Sequence, residues 1–271
     1  MEFDFVLKDL VVPISLMIIF VLYKFSNTVK YFIKLIIFNV SFVVLPFFLI
    51  PYFLIRPRNV NNLLTIANIA KHVTKVLGIK WILRGEEHLS KNKSFIIVAN
   101  HQSFLDVLGI TYIWNVIKLL TAVSKKESIF IFPAMYLAGL VFINRNSFQG
   151  RDELNKAMKM LKKDNVKLLI FPEGTRRNSN RIHEFKKGAF YTAIHNQVPI
   201  VPLVFCSYLH FMDHEKKIFG EGKMIINALP EISTTGVKVK DIDDFMERIR
   251  QQMIKVYEET SAEVAESSNL N

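Results

Sequence analysis

The sequence has one cysteine, Cys206, in 271 residues. No intramolecular disulfide can form, and a cysteine-rich zinc site is excluded. Cys206 sits in the apolar run VFCSY, which suits an inert core thiol better than a nucleophile. No G-x-S-x-G elbow is present, which argues against a serine hydrolase of that type. No lysine follows a glycine-rich turn in the way a nucleotide P-loop needs. The seven histidines have no ligand-like spacing, so no metal is expected. A retention tetrapeptide, repeats and low-complexity tracts are also missing.

Hydrophobicity and positive charge are abundant instead. Apolar residues make up 51% of the chain, with 23 phenylalanines. That is too apolar for disorder and points to contact with lipid. The formal net charge is +11. Such a chain suits nucleic acid, an anionic membrane or an acidic small substrate. Residues 1–80 carry a net +6 and residues 241–271 a net −5, which leaves +10 in the middle. Every motif below lies in that middle, although a generic solvated basic surface would have the same balance. The chain has no recognisable nucleic-acid motif and does have a lipid-like run, so no nucleic-acid partner is expected.

That run is residues 35–55, 21 residues without a charge. As one helix it would be about 31 Å long, close to the hydrocarbon thickness of a bilayer. Lys30, Lys34, Arg56 and Arg58 flank it at snorkelling positions. Pro46 and Pro51 are costly in a soluble helix but tolerated in a membrane one. An earlier uncharged run, residues 10–23, is short for a span and fits an interfacial or tilted helix. It lacks a small-residue cleavage site, so an anchor is expected over a cleaved signal. A third run, residues 128–144, reads as buried core or a membrane-dipping element. Charge flanks both ends of the long run, so orientation is not readable.

From about residue 79, short apolar runs alternate with helical patterns. Strands are predicted at 94–99, 140–143, 166–171, 200–205 and 224–228. Helices are predicted at 103–114, 151–162, 188–195 and 241–259, with a frayed polar tail after Glu259. The pattern predicts an α/β fold, a mostly parallel sheet flanked by helices, with an N-terminal membrane-helix anchor. The expected divisions are an anchor at 1–58, a main domain at 59–260 and a polar tail at 261–271. In such folds functional groups gather past the carboxyl ends of strands. His101, Arg145 and Glu173 all fall there.

Two readings fit His101 and Asp106 in SFIIVANHQSFLDVLG. In one, Ser103 caps a helix and Asp106 completes a capping box, leaving His101 as a polar loop residue. In the other, neutral His101 takes a proton from a hydroxyl, while Asp106 fixes its tautomer and stabilises the imidazolium. One carboxylate has enough lone pairs for both. In LLIFPEGTRR, the strand breaks at Pro172. Gly174 allows a tight turn, and Arg176 offers a forked donor suited to phosphate, with Arg177, Arg181, Lys186 and Lys187 adding charge. An ordinary turn with a solvated basic face is the alternative. VFINR is another strand that ends in an arginine, Arg145. In VPIVP, alternate prolines suit an edge or a bend.

In this order, NHQSFLD, FINR, FPEGTR and VPIVP resemble the four blocks of the glycerolipid acyltransferase family. Within it they resemble the 1-acylglycerol-3-phosphate (lysophosphatidic acid) acyltransferases, over roughly residues 60–230. The resemblance implies His101 as catalytic base with Asp106 as its partner. It implies Arg145 as a glycerol-phosphate contact and Glu173, Gly174, Thr175 and Arg176 as the substrate-phosphate loop. Asn100, Ser103, Asn144, Pro172, Lys187 and Pro202 are supporting positions. It also implies no bound cofactor or metal, acyl-CoA as co-substrate, lysophosphatidic acid as acceptor, and residence in the endoplasmic reticulum membrane. Glycerol-3-phosphate acyltransferase, lysophospholipid transacylase and a non-catalytic membrane protein that binds lipid phosphate remain the alternatives.

Overall fold

The computed structural model describes residues 2–129, 133–144, 148–177 and 179–269, with side chains from residue 11 onward except 148, 149, 151, 268 and 269. Five helices precede the first strand: α1 (Glu2–Phe25), α2 (Asn27–Asn39), α3 (Leu45–Phe48), α4 (Ile50–Ile55) and α5 (Asn61–Val76). Then follow β1 (Ile79–Arg84), α6 (Glu86–Leu89), β2 (Ile96–Ala99), α7 (Leu105–Ile117), β3 (Leu120–Lys125), α8 (Pro133–Leu137) and β4 (Val141–Ile143). The chain continues through α9 (Phe148–Lys163), β5 (Lys167–Ile170), α10 (Gly188–Asn196), β6 (Ile200–Phe205), β7 (Met212–Asp213), β8 (Ile218–Phe219), β9 (Gly222–Ala228) and α11 (Ile242–Asn269).

Seven strands form one sheet in the order β1-β9-β6-β2-β5-β3-β4. Neighbours are parallel except β6 and β9. The sheet is covered on both faces. Side chains alternate along β2, so Ile97 and Ala99 join the core under α5 and α7, while Ile96 and Val98 join the core under α10 and α11. A strand buried on both sides reads as a continuous apolar run, as residues 95–99 do. The α/β fold and the predicted strands and helices are present, with their ends moved by a few residues.

Three differences have physical causes. β1 (IKWILR) and β3 (LTAVSK) were not expected, because each mixes polar with apolar residues and each is only partly buried. Prolines at alternating spacing suggested an edge or bend, yet Pro202 lies in β6, inside the sheet. Its carbonyl accepts from Leu229 N, so its missing N–H falls on the β9 side, where the β6–β9 ladder ends at Leu203 and Ala228. The polar stretch after Glu259 continues α11 to Asn269 rather than fraying, because Thr260 and Val264 are buried against the domain.

The long apolar helix also shifts. Among the described residues, the one segment long and apolar enough to cross a membrane is Asn27–Phe48, rather than residues 35–55. Ser26 caps its start, its Oγ accepting from Val29 N at 3.3 Å. Pro46 is accommodated by a π-helical turn at Val40–Val44, and Pro51 begins the separate helix α4. On α1, the large apolar side chains from Val11 to Leu22 are exposed, as they would be in lipid. The third run, 128–144, is divided among a 3-10 turn at Lys126–Ile129, α8 and β4.

The apolar helix is tied to the domain by one cation. Lys34 is buried, and its Nζ donates to the carbonyls of Leu77 and Gly220, each at 2.6 Å. It also lies over the Phe219 ring, 4.8 Å from the centroid. Lys34→Met leaves both carbonyls unpaired, at a cost of about 3 kcal/mol. Thermal unfolding in detergent should show a lowered Tm; an unchanged Tm would mean that this pin carries no weight.

Candidate active site

The site forms where β2 and β5 end side by side near the middle of the sheet. Asn100 closes the end of β2 onto β6: its Nδ2 donates to Phe205 O at 3.0 Å, and its Oδ1 accepts from Phe205 N at 2.9 Å. His101 follows, with its Nδ1 2.9 Å from Asp106 Oδ2. The same Oδ2 accepts from the backbone N–H groups of Gln102 at 2.6 Å and Ser103 at 2.9 Å. Ser103 Oγ accepts from Leu105 N at 2.9 Å. The N-cap of α7 is Phe104, one residue later than expected and without a side-chain bond. One Asp106 oxygen closes the turn before it and also meets the imidazole, so the two arrangements are compatible.

Asp106 is fully buried, and its Oδ1 has no hydrogen-bond partner among the described residues. An acceptor-only carboxylate at Oδ2 puts the imidazole proton on Nδ1. Nε2, with no partner among the described residues, is left with its lone pair. Phe171 covers one face of the ring, its centroid 3.9 Å away and its plane tilted by 17°. The His101 side chain keeps 14% exposure, so the imidazole is reachable.

The loop after β5 is bound to the His101 turn. Glu173 was expected to face the substrate, but its carboxylate turns inward. Oε1 accepts from His101 N at 2.7 Å and Oε2 from His183 N at 3.2 Å. Burial lifts this carboxyl to about 7, although both amides pull it down. Arg177 N donates to His101 O at 3.3 Å, a second tie between the loops. Gly174 has φ +77°, and a Cβ there would come within 2.9 Å of the Lys186 side chain, so the turn requires glycine. Pro172 is buried, and its carbonyl accepts from Lys186 N at 2.9 Å.

Thr175 and Arg176 are exposed at the tip of this loop. The Arg176 guanidinium has no partner among the described residues, so it is free to take an anion. Lys187 is already paired with Asp243 on α11 at 2.7 Å, on the exposed surface. Asn144 lies at the end of β4, three strands from β2, or about 14 Å at ordinary strand spacing. Its N–H donates to Glu153 Oε2 at 3.1 Å. Arg145 lies outside the described residues. No cluster of metal-ligating side chains occurs among the described residues.

Several supports were not visible in the sequence. Gln102 Nε2 donates to the carbonyls of Phe205 and Cys206, which turns its Oε1 to Tyr257 OH at 3.2 Å. Tyr257 OH also lies 3.1 Å from Asn180 Oδ1. Arg250 donates to Ile182 O and His183 O. Helix α11 thus holds both active-site loops from behind. No local signal could reveal partners separated by 155 positions, as Gln102 and Tyr257 are.

Comparison with known proteins shows the family and the fold. The family model described as Acyltransferase matches residues 80–206, which contain the His–Asp pair and the loop after β5. The chain is 31% identical over 242 residues to 1-acyl-sn-glycerol-3-phosphate acyltransferase alpha of Bos taurus, covering 88% of this chain and 84% of that one. It is 36% identical over 193 residues to 1-acyl-sn-glycerol-3-phosphate acyltransferase of Saccharomyces cerevisiae, covering 69% of this chain and 63% of that one. The crystal structure of PlsC, the 1-acyl-sn-glycerophosphate acyltransferase of Thermotoga maritima, has the same fold. Its TM-score is 0.69 at 21% identity, covering 88% of this chain and 98% of that one. The chain belongs to the 1-acyl-sn-glycerol-3-phosphate acyltransferase family.

The raised Glu173 carboxyl has a consequence for stability. Between its ordinary 4.5 and about 7, the folded chain keeps a proton that the unfolded chain has lost. Stability therefore falls as pH rises through that window and levels off above it. Glu173→Gln removes this titration. Unfolding followed across pH in detergent should show a shallower fall between those values, and an unchanged slope would contradict the inward role of Glu173.

Proposed function

We propose that this protein transfers an acyl group from acyl-CoA to the sn-2 hydroxyl of lysophosphatidic acid, giving phosphatidic acid. The observation that carries this reading is the His101–Asp106 bond, which leaves a bare Nε2 beside an arginine-bearing loop. His101 Nε2 takes the hydroxyl proton as that oxygen attacks the thioester carbon. The new C–O ester bond forms, the C–S bond breaks, and the coenzyme A thiolate leaves with the proton returned by the imidazolium. Asp106 holds the Nδ1–H tautomer and offsets the positive charge as it forms.

Arg176 and Arg145 hold the acceptor's phosphate, and Gly174 and Thr175 shape the turn that carries Arg176. Glu173 acts as a positioning residue, since its oxygens are taken by the amides of His101 and His183. Fixing the loop to the His101 turn sets the distance between phosphate and base, and such positioning lowers the barrier by several kcal/mol. The names of the relatives support lysophosphatidic acid as acceptor. The apolar helix Asn27–Phe48 supports attachment to the bilayer in which acceptor and product dissolve. The endoplasmic reticulum membrane is the proposed location.

The test is an acceptor panel with labelled acyl-CoA. Lysophosphatidic acid should be acylated in preference to glycerol 3-phosphate and to lysophosphatidylcholine. His101→Ala should lower kcat by roughly 10²–10⁴-fold in protein that still folds. Preference for glycerol 3-phosphate or transfer from a phospholipid donor would overturn the substrate assignment, and near-wild-type turnover of His101→Ala would overturn the base. Arg176→Ala should raise the acceptor's KM by about tenfold or more while changing the donor's KM little. The reverse pattern would place the phosphate elsewhere.

A further inference from the structure

A cavity lies away from His101, between α5, β1 and α7. Its volume is about 480 Å³, and Lys71, Lys75, Lys80, His72, Trp81 and Tyr112 are among the residues that line it. Lys71 and Lys75 are one helical turn apart on α5, so their side chains share a face. Lys75 and Lys80 are exposed, and no acidic side chain among the described residues lines the cavity. The Trp81 and Tyr112 rings stack with centroids 6.3 Å apart. Trp81 is 5% exposed, and its indole N–H has no acceptor among the described residues. Lysines, an exposed rim and a stacked aromatic pair together make a positively charged recess.

Its place in the fold selects the anion. Thr74 and Lys75 on one side and Ile79 and Lys80 on the other bracket Leu77, whose carbonyl takes Lys34 of the apolar helix. Val76, between them, is 62% exposed. Basic side chains, an exposed valine and an aromatic pair beside a membrane-type helix suit the headgroup layer. Tyr112 is six residues beyond Asp106 on α7, about 9 Å along the helix and on another face. This cavity is therefore separate from the catalytic groups.

We infer that this cavity binds the phosphate of an anionic phospholipid of the surrounding bilayer. The lysines supply the charge, the Trp81 and Tyr112 rings wall the recess, and Val76 lies against the acyl region. The site is independent of the chemistry at His101.

The test uses the full chain in neutral detergent micelles with dioctanoyl phosphatidylglycerol, which has no free sn-2 hydroxyl to acylate. The chain has two tryptophans, Trp81 and Trp114, so Trp114→Phe leaves Trp81 as the reporter of emission. Native mass spectrometry of the unaltered chain counts bound lipid without that change. The lipid should bind with a change in Trp81 emission, and dioctanoyl phosphatidylcholine should bind at least about tenfold more weakly. Changing Lys71, Lys75 and Lys80 together to Gln should weaken phosphatidylglycerol by roughly tenfold or more, whereas Arg176→Ala should leave it unchanged. Acyl transfer by the triple variant in neutral micelles should equal wild type. Binding that survives the triple change, or that is lost with Arg176→Ala, would overturn the site. Inorganic phosphate binding as tightly as the lipid would overturn the lipid assignment.

Discussion

One buried oxygen, Asp106 Oδ2, organises the turn between β2 and α7. It accepts from the His101 imidazole and from the backbone amides of Gln102 and Ser103. A buried carboxylate is costly unless it is well hydrogen-bonded. Here the cost is offset by the same bonds that start the helix and orient the ring. The helix cannot begin in this register without placing a carboxylate beside Nδ1. Rotation of the imidazole would give up its bond to that same oxygen. The turn and the His101–Asp106 pair share one carboxylate, so local folding and the proposed chemistry depend on the same group.

The rest of the site is held by long-range ties to that turn. Glu173 joins the loop after β5 to His101 N, and Arg177 N joins it to His101 O. Helix α11, at the far end of the chain, grips both loops through Arg250 and Tyr257. The sheet brings the ends of β2 and β5 side by side, and α11 braces the loops that leave them. This leaves Arg176 exposed at the tip of a loop whose backbone is tied to the His101 turn and to α11. A held imidazole near an exposed arginine is the arrangement that the proposed acceptor, with a hydroxyl near one end and a phosphate at the other, would need.

The sequence made the centre of the molecule legible and its periphery much less so. The run 94–99 announces a strand buried on both faces, and the Ser103/Asp106 spacing announces the helix after it. Gly174 was readable as a turn residue because a glycine follows the strand-breaking Pro172, and its φ is +77°. β1 and β3 were hidden because a partly buried strand mixes polar and apolar residues as a loop does. The inward turn of Glu173 was also hidden, since it depends on amides 72 and 10 positions away in sequence. The helix over residues 35–55 was displaced for a local reason: composition does not register that Ser26 starts a helix and Pro51 starts another. The polar end of α11 resembled a frayed tail because its one fully buried apolar residue, Val264, is isolated among charges.

The most direct measurement of the central claim is the nitrogen-15 spectrum of histidine-labelled protein in detergent micelles, with the imidazole neutral and the His101 signal assigned by its loss in His101→Gln. A proton on Nδ1 and a bare Nε2 are predicted, because Asp106 Oδ2 can only accept. A His101 proton on Nε2 would leave no lone pair to receive the hydroxyl's proton and would contradict the account.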